Sequence, residues 1–428
     1  MKSLLRGPIA SGTLRTSIVL GGRLLIQAGT LLLVARALGP DAFGAFAGIA
    51  ALAVLLGAFG THGTHLILLQ EMSRNAARRD AVLVYAIPST LVSGSILLAL
   101  YLGICELAFV GLEVPIWILL AIGFAETVLQ PLIALMTAEH LALGRVARSQ
   151  ILQILPLSLR LGAIVLVLIT AARNPLAAYA AGYALASLVA LLVVARDRPA
   201  PWPRVREWHM PNRVQLGEAT SFAALNLSAA GPAELDKALA TGLLPPAMAG
   251  GYAAGARIVG AATLPVMALM LAALPRLFRE GTSGDGGRRL QRWLFATAGL
   301  YGVMIGAALW LAVPLIIWLL GKDYDPIRSM MPWLCAAVPG MTLRSAAGNV
   351  LMTHGRPWAR FAFEILGLAL LAALAPILIR QWGATSMPIA LFCAEWGMAC
   401  LGLALVFRFA SGNSIPSATV SPGANHGR

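Results

Sequence analysis

The stretch TSIVLGGRLLIQAGTLLLVARALGP, residues 16–40, is almost long and apolar enough to form one membrane span, yet Arg23 and Gln27 stand at its centre. These two side chains, four residues apart, share one face of a helix, and Thr16 and Thr30, seven residues either side of Arg23, fall within about 20° of it. A charge at the centre of a span costs at least ~2.5 kcal/mol. A helix with this polar stripe is therefore not expected to face lipid on every side.

The composition of the whole chain indicates a polytopic membrane protein. Only 12% of the 428 residues are charged and 59% are hydrophobic, whereas a soluble domain carries about 25% charged residues. Apolar runs of roughly 20 residues recur from one end to the other, which predicts an all-α fold of about twelve membrane-spanning helices. We number these spans one to twelve; they are expected at 13–35, 43–69, 81–105, 114–139, 149–171, 176–195, 215–242, 249–275, 291–319, 328–353, 360–380 and 387–409.

The placement of the 32 Lys and Arg residues predicts the orientation of the chain. If the N-terminus is cytoplasmic, the termini and even-numbered loops hold 22 of them, the outer loops and outer helix ends hold six, and spans hold four. This bias is a positive-inside signal for both termini in the cytoplasm. The net charge of +14 thus reflects topology, with membrane lipid headgroups as a secondary partner and no nucleic acid. We use "basic face" for the side with the termini and even-numbered loops, and "opposite face" for the other.

The longest loop, RDRPAPWPRVREWHMPNR (196–213), divides the twelve spans into six and six. LGPDAFGAFAGIA (38–50) is echoed by LLPPAMAGGYAAGA (244–257) at an offset of 206, so that Gly44 matches Gly250. Equal span counts and these matches suggest two parallel repeats. The expected parts are an N-terminal six-helix lobe at 1–195, a basic cytoplasmic linker at 196–213, a C-terminal six-helix lobe at 214–410 and a disordered Ser/Pro/Gly-rich tail at 411–428.

Three further stretches carry a family resemblance. ARALGPDAFGAF (35–46) resembles the R-x-LGP-x-x-FG junction of polysaccharide-export proteins, and ELDKALATGLLPPAMAGGYAAGARI (234–258) resembles their seventh-to-eighth helix segment. LLGKDYDP (319–326) is similar to their LxGxxY loop after span nine. The chain thus resembles the Wzx-type lipid-linked oligosaccharide flippases of the MATE-like (MOP) exporter superfamily over essentially its whole length.

The resemblance implies a V-shaped pair of six-helix lobes around a central cavity that opens alternately to the two sides of the membrane. It implies a flippase, not an enzyme, that moves undecaprenyl-diphosphate-linked oligosaccharide units across the bacterial inner membrane for polysaccharide biosynthesis, such as O-antigen or exopolysaccharide. No cofactor is implied. The partners would be the lipid-linked oligosaccharide, a coupling proton or cation, and polysaccharide polymerase and chain-length machinery.

The polar residues within the spans are candidates for the substrate site. A guanidinium fork suits phosphate oxygens and stays charged when partly desolvated, so arginines in a cavity wall would bind a diphosphate. In family cavities spans one, two, seven and eight form most of the lining, which favours Arg23 and Arg257. The alternative is a clamp between helices, in which an arginine satisfies carbonyl groups or pairs with Glu126. The substrate-binding candidates are Arg23, Gln27, Thr30, Arg160, Asn226, Lys237, Arg257 and Arg344.

Two acidic residues are candidates for ion coupling. Glu126 is central in span four, one turn before Gln130 and close to Pro131, which we expect to kink the helix. Asp236 stands next to Lys237 near the outer end of span seven. For Glu126, two interpretations stay open: it carries a coupling proton, or it forms an ion pair with an arginine. For Asp236 and Lys237, the two interpretations are a contact with the cavity and a local ion pair.

Other functions have weaker support in the sequence. A MATE-type multidrug or cation antiporter would share the fold, but the basic residues in the spans would repel cationic drugs. A membrane glycosyltransferase or polymerase would need a larger outer loop than LLGKDYDPIR, and no phosphate-binding Gly-rich loop for ATP is present. A non-transporting scaffold stays open.

Overall fold

The computed structural model describes residues 8–109, 111–270, 273, 285–354 and 356–412, and it omits the side chains of 8–20, 224–230, 285, 286, 288, 357 and 410–412. These described residues form helices joined by short turns, with no β-strand among them. The main helices are Pro8–Gly57, Thr64–Arg74, Arg79–Ala108, Ile116–Phe124, Gln130–Ala142, Val146–Ile169, Pro175–Asp197, Arg213–Leu243, Pro246–Ala262, Asp285–Leu311, Val313–Leu320, Ile327–Thr353, Pro357–Trp382 and Ser386–Gly412.

Each of the twelve expected spans corresponds to helix among the described residues, which leave out 271, 272, 274 and 275 at the end of span eight. Spans one and two share the helix Pro8–Gly57, and span two continues into Thr64–Arg74. Span four consists of two α-helices joined by a π-helical turn at Ala125–Leu129, and span nine of two helices that meet at Ala312. The side chain of Asn226 lies outside the described residues, and so do residues 413–428, which make up most of the expected tail.

Eight helical segments among the described residues are long and apolar enough to cross a bilayer, judged by length and composition. Two of them, Gly21–Gly57 and Trp358–Phe409, each overlap two of the expected spans. Span seven includes residues 224–230, whose side chains lie outside the described part of the chain, and span ten is not among the eight. Polar residues recur along the helix of span ten, which fits a helix that faces protein or water on one side.

The expected loop between spans one and two is a kink instead. The helix continues through residues 36–42 except at Gly39, whose φ of 69° and ψ of 171° are not helical. Glycine tolerates a positive φ because it has no Cβ, and Pro40 fits the first turn of the helix that follows. A single glycine thus replaces the loop predicted from the hydropathy pattern.

The two halves of the chain meet near the opposite face in what we name the interhalf contact, formed by Gly44 and Gly250 with their neighbours. A Cβ atom built on Gly44 would lie 2.7 Å from the Gly250 nitrogen and closer still to the Pro246 oxygen. A Cβ atom built on Gly250 would lie 2.9 Å from the Pro40 carbonyl carbon. Gly44 and Pro40 are the positions that the 206-residue offset equates with Gly250 and Pro246. Equivalent residues of the two repeats therefore pack on each other reciprocally, about a local pseudo-two-fold relation.

Tyr324, from the loop after span nine, strengthens this contact. Its hydroxyl donates a 2.9 Å hydrogen bond to the Ala35 carbonyl in the first half, and its ring packs edge-on against Phe43 with centroids 6.4 Å apart. Burial raises the pKa of the Tyr324 hydroxyl, so the group remains a donor at physiological pH. Thr241 adds a 3.0 Å hydrogen bond to the Gly44 carbonyl. The three sequence stretches that carry the family resemblance thus converge at one place.

A second contact between the halves lies nearer the basic face. His62 and Thr220 share a 3.0 Å hydrogen bond, and a Cβ atom on Gly63 would lie 2.8 Å from the Ala223 nitrogen. This contact joins the turn inside span two to the first turns of span seven.

The linker 196–213 is fixed to the first half of the chain. Arg79 donates hydrogen bonds to the Ala200 and Pro201 carbonyls, at 2.9 and 3.0 Å, and a third, at 2.6 Å, to the fully buried carboxylate of Glu139. The Trp202 indole donates to the other oxygen of Glu139 at 3.0 Å. These bonds make the start of the linker part of the packed first half.

Candidate functional site

Arg160 of span five is paired with Glu126 of span four in a buried cluster. The Arg160 Nη2 lies 2.7 Å from the Glu126 Oε1 and donates to the Ser187 hydroxyl at 2.8 Å. The Arg160 Nη1 donates to the Tyr183 hydroxyl at 2.7 Å. Tyr183 donates to Glu126 at 2.6 Å, and the guanidinium carbon stands 3.6 Å from the centre of the Tyr183 ring. Spans four, five and six are therefore joined by a neutralised ion pair, the clamp that the sequence left open for Arg160.

The Glu126 carboxylate is positioned by a π-helical turn. This turn, Ala125–Leu129, ends two residues before Pro131, at the place where a kink was expected. Two glycines let neighbouring helices approach it: a Cβ atom on Gly94 would lie 2.5 Å from the Thr127 oxygen, and one on Gly57 would collide with the Glu126 carbonyl. π-helical turns are frequent at functional sites and redirect the side chains that they carry.

Arg344 of span ten is paired in the corresponding part of the second half. Its Nε donates to the buried Glu395 carboxylate at 2.7 Å, and its Nη1 lies 3.9 Å from Glu364. Arg360 donates to the same Glu364 oxygen at 3.0 Å. This cluster joins spans ten, eleven and twelve, and it again places Arg344 in the clamp arrangement.

Lys237 and Asp236 form the local ion pair that the sequence left open. The Lys237 ammonium lies 3.0 Å from Asp236 and also donates to the Ala233 carbonyl. The Tyr252 hydroxyl of span eight donates to the other Asp236 oxygen at 2.9 Å. Both charged side chains are about 95% buried or more. The pair links spans seven and eight just below the interhalf contact.

A cavity of about 390 Å³ lies within the first half, between spans one, two, four and five. It extends from the middle of the spans, at Val54 and Gly57, to Leu69 and Leu141 near the basic face. Its polar lining consists of Arg23, Thr61, His65, Glu126, Gln130, Thr137 and Gln153. The cavity is thus walled by first-half residues alone.

Arg23 lines this cavity without a charged partner. Its side chain is half-buried, and it makes no ion pair or side-chain hydrogen bond with the part of the chain that the structure describes. Glu126, the acid in the cavity lining, is already neutralised by Arg160. Among the described lining residues, the cavity therefore carries one uncompensated positive charge, at Arg23.

The remaining predicted residues are more scattered. Gln27 is exposed and outside the cavity lining, and the Thr30 hydroxyl donates to the Ile26 carbonyl of its own helix at 2.7 Å. Arg257 is half-buried in span eight, with no ion pair to another described residue. The side chain of Asn226 lies outside the described residues. The structure thus brings Arg23 into a cavity but does not gather the eight candidates into one site.

Sequence reasoning did not select three residues that line the cavity, namely His65, Gln130 and Gln153. Gln130 follows Glu126 by one turn, and Gln153 lies on the same helix face as Arg160. Their neighbouring charges were a signal, but neutral residues inside apolar runs carry too little weight in a hydropathy pattern to be singled out.

Comparisons with known proteins agree with this architecture. The sequence model of the family described as "Polysaccharide biosynthesis protein" matches residues 9–280, well over half of the chain. The chain belongs to this polysaccharide biosynthesis protein family. The match confirms the resemblance to polysaccharide-export proteins that the sequence motifs carry.

Solved structures show how this family member folds. A multidrug resistance MATE family transporter of the MOP superfamily, in its inward-facing conformation, superposes with a TM-score of 0.73 at 15% identity, covering 91% of this chain and 95% of that one. The outward-facing conformation of such a transporter gives 0.62 at 16% identity, covering 96% and 97%. A MOP superfamily transporter from Pyrococcus furiosus, described as having a binding pocket of reverse polarity, gives 0.62 at 15% identity over 96% and 97%. No curated protein matches the chain in sequence.

Proposed function

We propose that this protein is a flippase that carries an undecaprenyl-diphosphate-linked oligosaccharide unit across the bacterial inner membrane for polysaccharide synthesis. The observation that carries the proposal is the unpaired Arg23 in a polar cavity. Arg160 and Arg344 are neutralised by carboxylates, whereas Arg23 is left for an anion from outside the chain. Family membership supplies the pathway class.

The charge of the cavity favours a phosphate over a cationic drug. Because Arg160 neutralises Glu126, an entering cation would meet the positive Arg23 with no free carboxylate among the described lining residues to offset it. A diphosphate would instead gain charge-assisted hydrogen bonds from the guanidinium fork. Moving such a headgroup through hydrocarbon without a polar cavity would strip its charges of water at a prohibitive cost.

The packing also supports a direction for the conformational cycle. The interhalf contact holds the two halves together near the opposite face through backbone-to-backbone glycine packing, while the cavity, which lies within the first half, extends toward the basic face. With the basic face in the cytoplasm, as the positive-inside pattern predicts, this state would load substrate from the cytoplasmic leaflet. Release on the other side would require the interhalf contact to open together with a rearrangement of the first-half helices that wall the cavity, while the polyprenyl tail stays in lipid.

The coupling step involves Glu126 or Asp236 in this proposal. Both carboxylates are paired, Glu126 with Arg160 and Asp236 with Lys237, so protonation of either would break a buried ion pair. A proton would therefore act by loosening the packing between spans. Polymerase and chain-length proteins remain proposed partners that receive the product.

Purified protein reconstituted in liposomes tests the function. We expect it to speed the movement of a fluorescent undecaprenyl-diphosphate-linked disaccharide between leaflets, compared with protein-free liposomes. It should not drive ethidium antiport with protons. Ethidium transport without lipid flipping would contradict the proposal and favour the MATE-type antiporter.

A further inference from the structure

The cavity holds neutral polar groups that the rest of the protein leaves unused. Gln130 makes no side-chain hydrogen bond among the described residues. The His65 Nδ1 is occupied by the Thr61 hydroxyl at 2.6 Å, which leaves its Nε2 for another partner. Gln153 makes one long contact, 3.4 Å from its Nε2 to the Ser149 hydroxyl, which leaves its carbonyl oxygen unused.

The other polar residues of the lining are occupied. The Thr137 hydroxyl donates to the Ala134 carbonyl at 3.1 Å, Thr61 is bonded to His65, and Glu126 is bonded to Arg160 and Tyr183. Within the described lining, the free groups are thus one cation, Arg23, and a set of neutral amide and imidazole groups. Unsatisfied polar groups in a partly buried cavity are costly unless water or a ligand pairs with them.

The size of the cavity limits what these groups would hold. At about 30 Å³ per water molecule, 390 Å³ corresponds to about a dozen waters. A bonded carbon or oxygen atom of a sugar takes roughly half the space of a water molecule, so the cavity has room for one hexose and an adjoining phosphate but not for a whole oligosaccharide. Its lining reaches Leu69 and Leu141 near the basic face, so the remaining sugars would extend toward that face.

The order of the groups matches the chemistry of a lipid-linked sugar. Both helices begin toward the basic face. Gln153 lies seven residues, about 10 Å of helix length, from the first residue of its helix, and Arg23 lies fifteen residues, about 22 Å, from the first residue of its own. A cation and neutral hydrogen-bonding groups at different depths are what a phosphate followed by a sugar would require.

We infer that Gln130, Gln153 and His65 form a subsite that binds the first sugar of the headgroup, while Arg23 holds the adjoining phosphate. The inference rests on the proposed function and adds to it the residues that recognise the sugar. Gln27 and Thr30 have no part in this subsite, since Gln27 is outside the cavity lining and the Thr30 hydroxyl is bonded to its own helix.

The test measures binding by full-length protein in lipid nanodiscs. The probes are undecaprenyl diphosphate alone and the same carrier bearing glucose, galactose or N-acetylglucosamine. We expect the protein to bind at least one sugar-bearing probe about tenfold more tightly than the bare carrier. Gln130→Leu and Gln153→Leu should each weaken that probe about fivefold and leave the bare carrier unchanged, since each removes hydrogen bonds between uncharged groups.

Two further variants separate the subsites. Arg23→Ala should weaken all probes by the same factor, and Gln381→Leu, an exposed glutamine near the opposite face, should weaken none. Equal binding of bare and sugar-bearing carriers by the unmodified protein would overturn the sugar subsite. So would equal weakening of both kinds of probe by Gln130→Leu and Gln153→Leu. Failure to bind any carrier would overturn the proposed function itself.

Discussion

Substitution of Gly44 by leucine should prevent the opposite face from closing. Gly44 packs directly on the backbone of span eight, and a Cβ atom there would lie 2.7 Å from the Gly250 nitrogen and closer still to the Pro246 oxygen. Because backbone atoms form this surface, no side chain can rotate away to make room. The interhalf contact would have to open.

The size of the opening follows from the geometry. Close contacts between a carbon and a polar backbone atom are about 3.3 Å or longer, so the first carbon alone requires the helices to part by at least about 0.6 Å. Leucine extends two bonds of about 1.5 Å beyond that carbon, which raises the separation to several ångströms. Gly44→Ala should therefore give a small shift and Gly44→Leu a large one.

The assay is the distance between spin labels at Glu113 and Arg380, exposed positions near the opposite face in different halves, measured by double electron–electron resonance. The four native cysteines are replaced beforehand. Gly44→Leu should move the distance distribution to longer values by several ångströms. The control is Gly103→Leu, at an exposed glycine with no atom within 4 Å of its Cβ position. Identical distributions for Gly44→Leu and the control would refute the assignment of this contact as the closed barrier.

Three other expectations concern the clusters that hold the closed state together. Tyr324→Phe keeps the ring but removes the hydrogen bond to the Ala35 carbonyl, so the spin-label distance between Glu113 and Arg380 should lengthen in part of the population. Because burial raises the pKa of Tyr324, the hydroxyl keeps its proton, and the unmodified protein should show no such lengthening up to about pH 9. Glu126→Gln leaves Arg160 unpaired, so it should lower the free energy of unfolding by about 3–5 kcal/mol and the thermal melting temperature with it. The double variant Glu126→Leu with Arg160→Leu should recover most of that stability. Equal melting temperatures of the single and double variants would contradict the clamp. Trp202→Ala removes a hydrogen-bond partner of Glu139 and should speed proteolysis of the linker. Equally fast cleavage of the linker in the unmodified protein would contradict its attachment to the first half.

The sequence predicted the fold largely because hydrophobic length and charge placement are properties of single segments. Each expected span corresponds to helix, and the 206-residue offset equated Gly44 with Gly250. That these equivalent residues touch each other was beyond the repeat pattern, because it depends on how the halves dock. A break was expected between the first two spans, but its extent was wrong, since a single non-helical residue, Gly39, stands where a loop was expected.

The site was harder to predict because periodicity tells which face a residue shares, not which helix it meets. Arg23, Arg160 and Arg344 look alike in sequence, yet two of them find carboxylates and the first does not. The partners lie 34 and 51 residues away from Arg160 and Arg344, and only depth and helix rotation select them. The shared face of Arg23 and Gln27 likewise did not bring both into the cavity.

Whether Arg23 faces the substrate is decided by the reactivity of Arg23→Cys in protein without its native cysteines. The cavity assignment predicts that a water-soluble thiol reagent modifies this position. Undecaprenyl-diphosphate-linked sugar should slow the modification, and uncharged undecaprenol should not. In parallel, Arg23→Ala should abolish flipping while Arg23→Lys retains part of it, because lysine keeps the charge but loses the fork. If position 23 is inert in every condition and Arg23→Ala flips at the normal rate, Arg23 does not bind the headgroup and the cavity assignment is wrong.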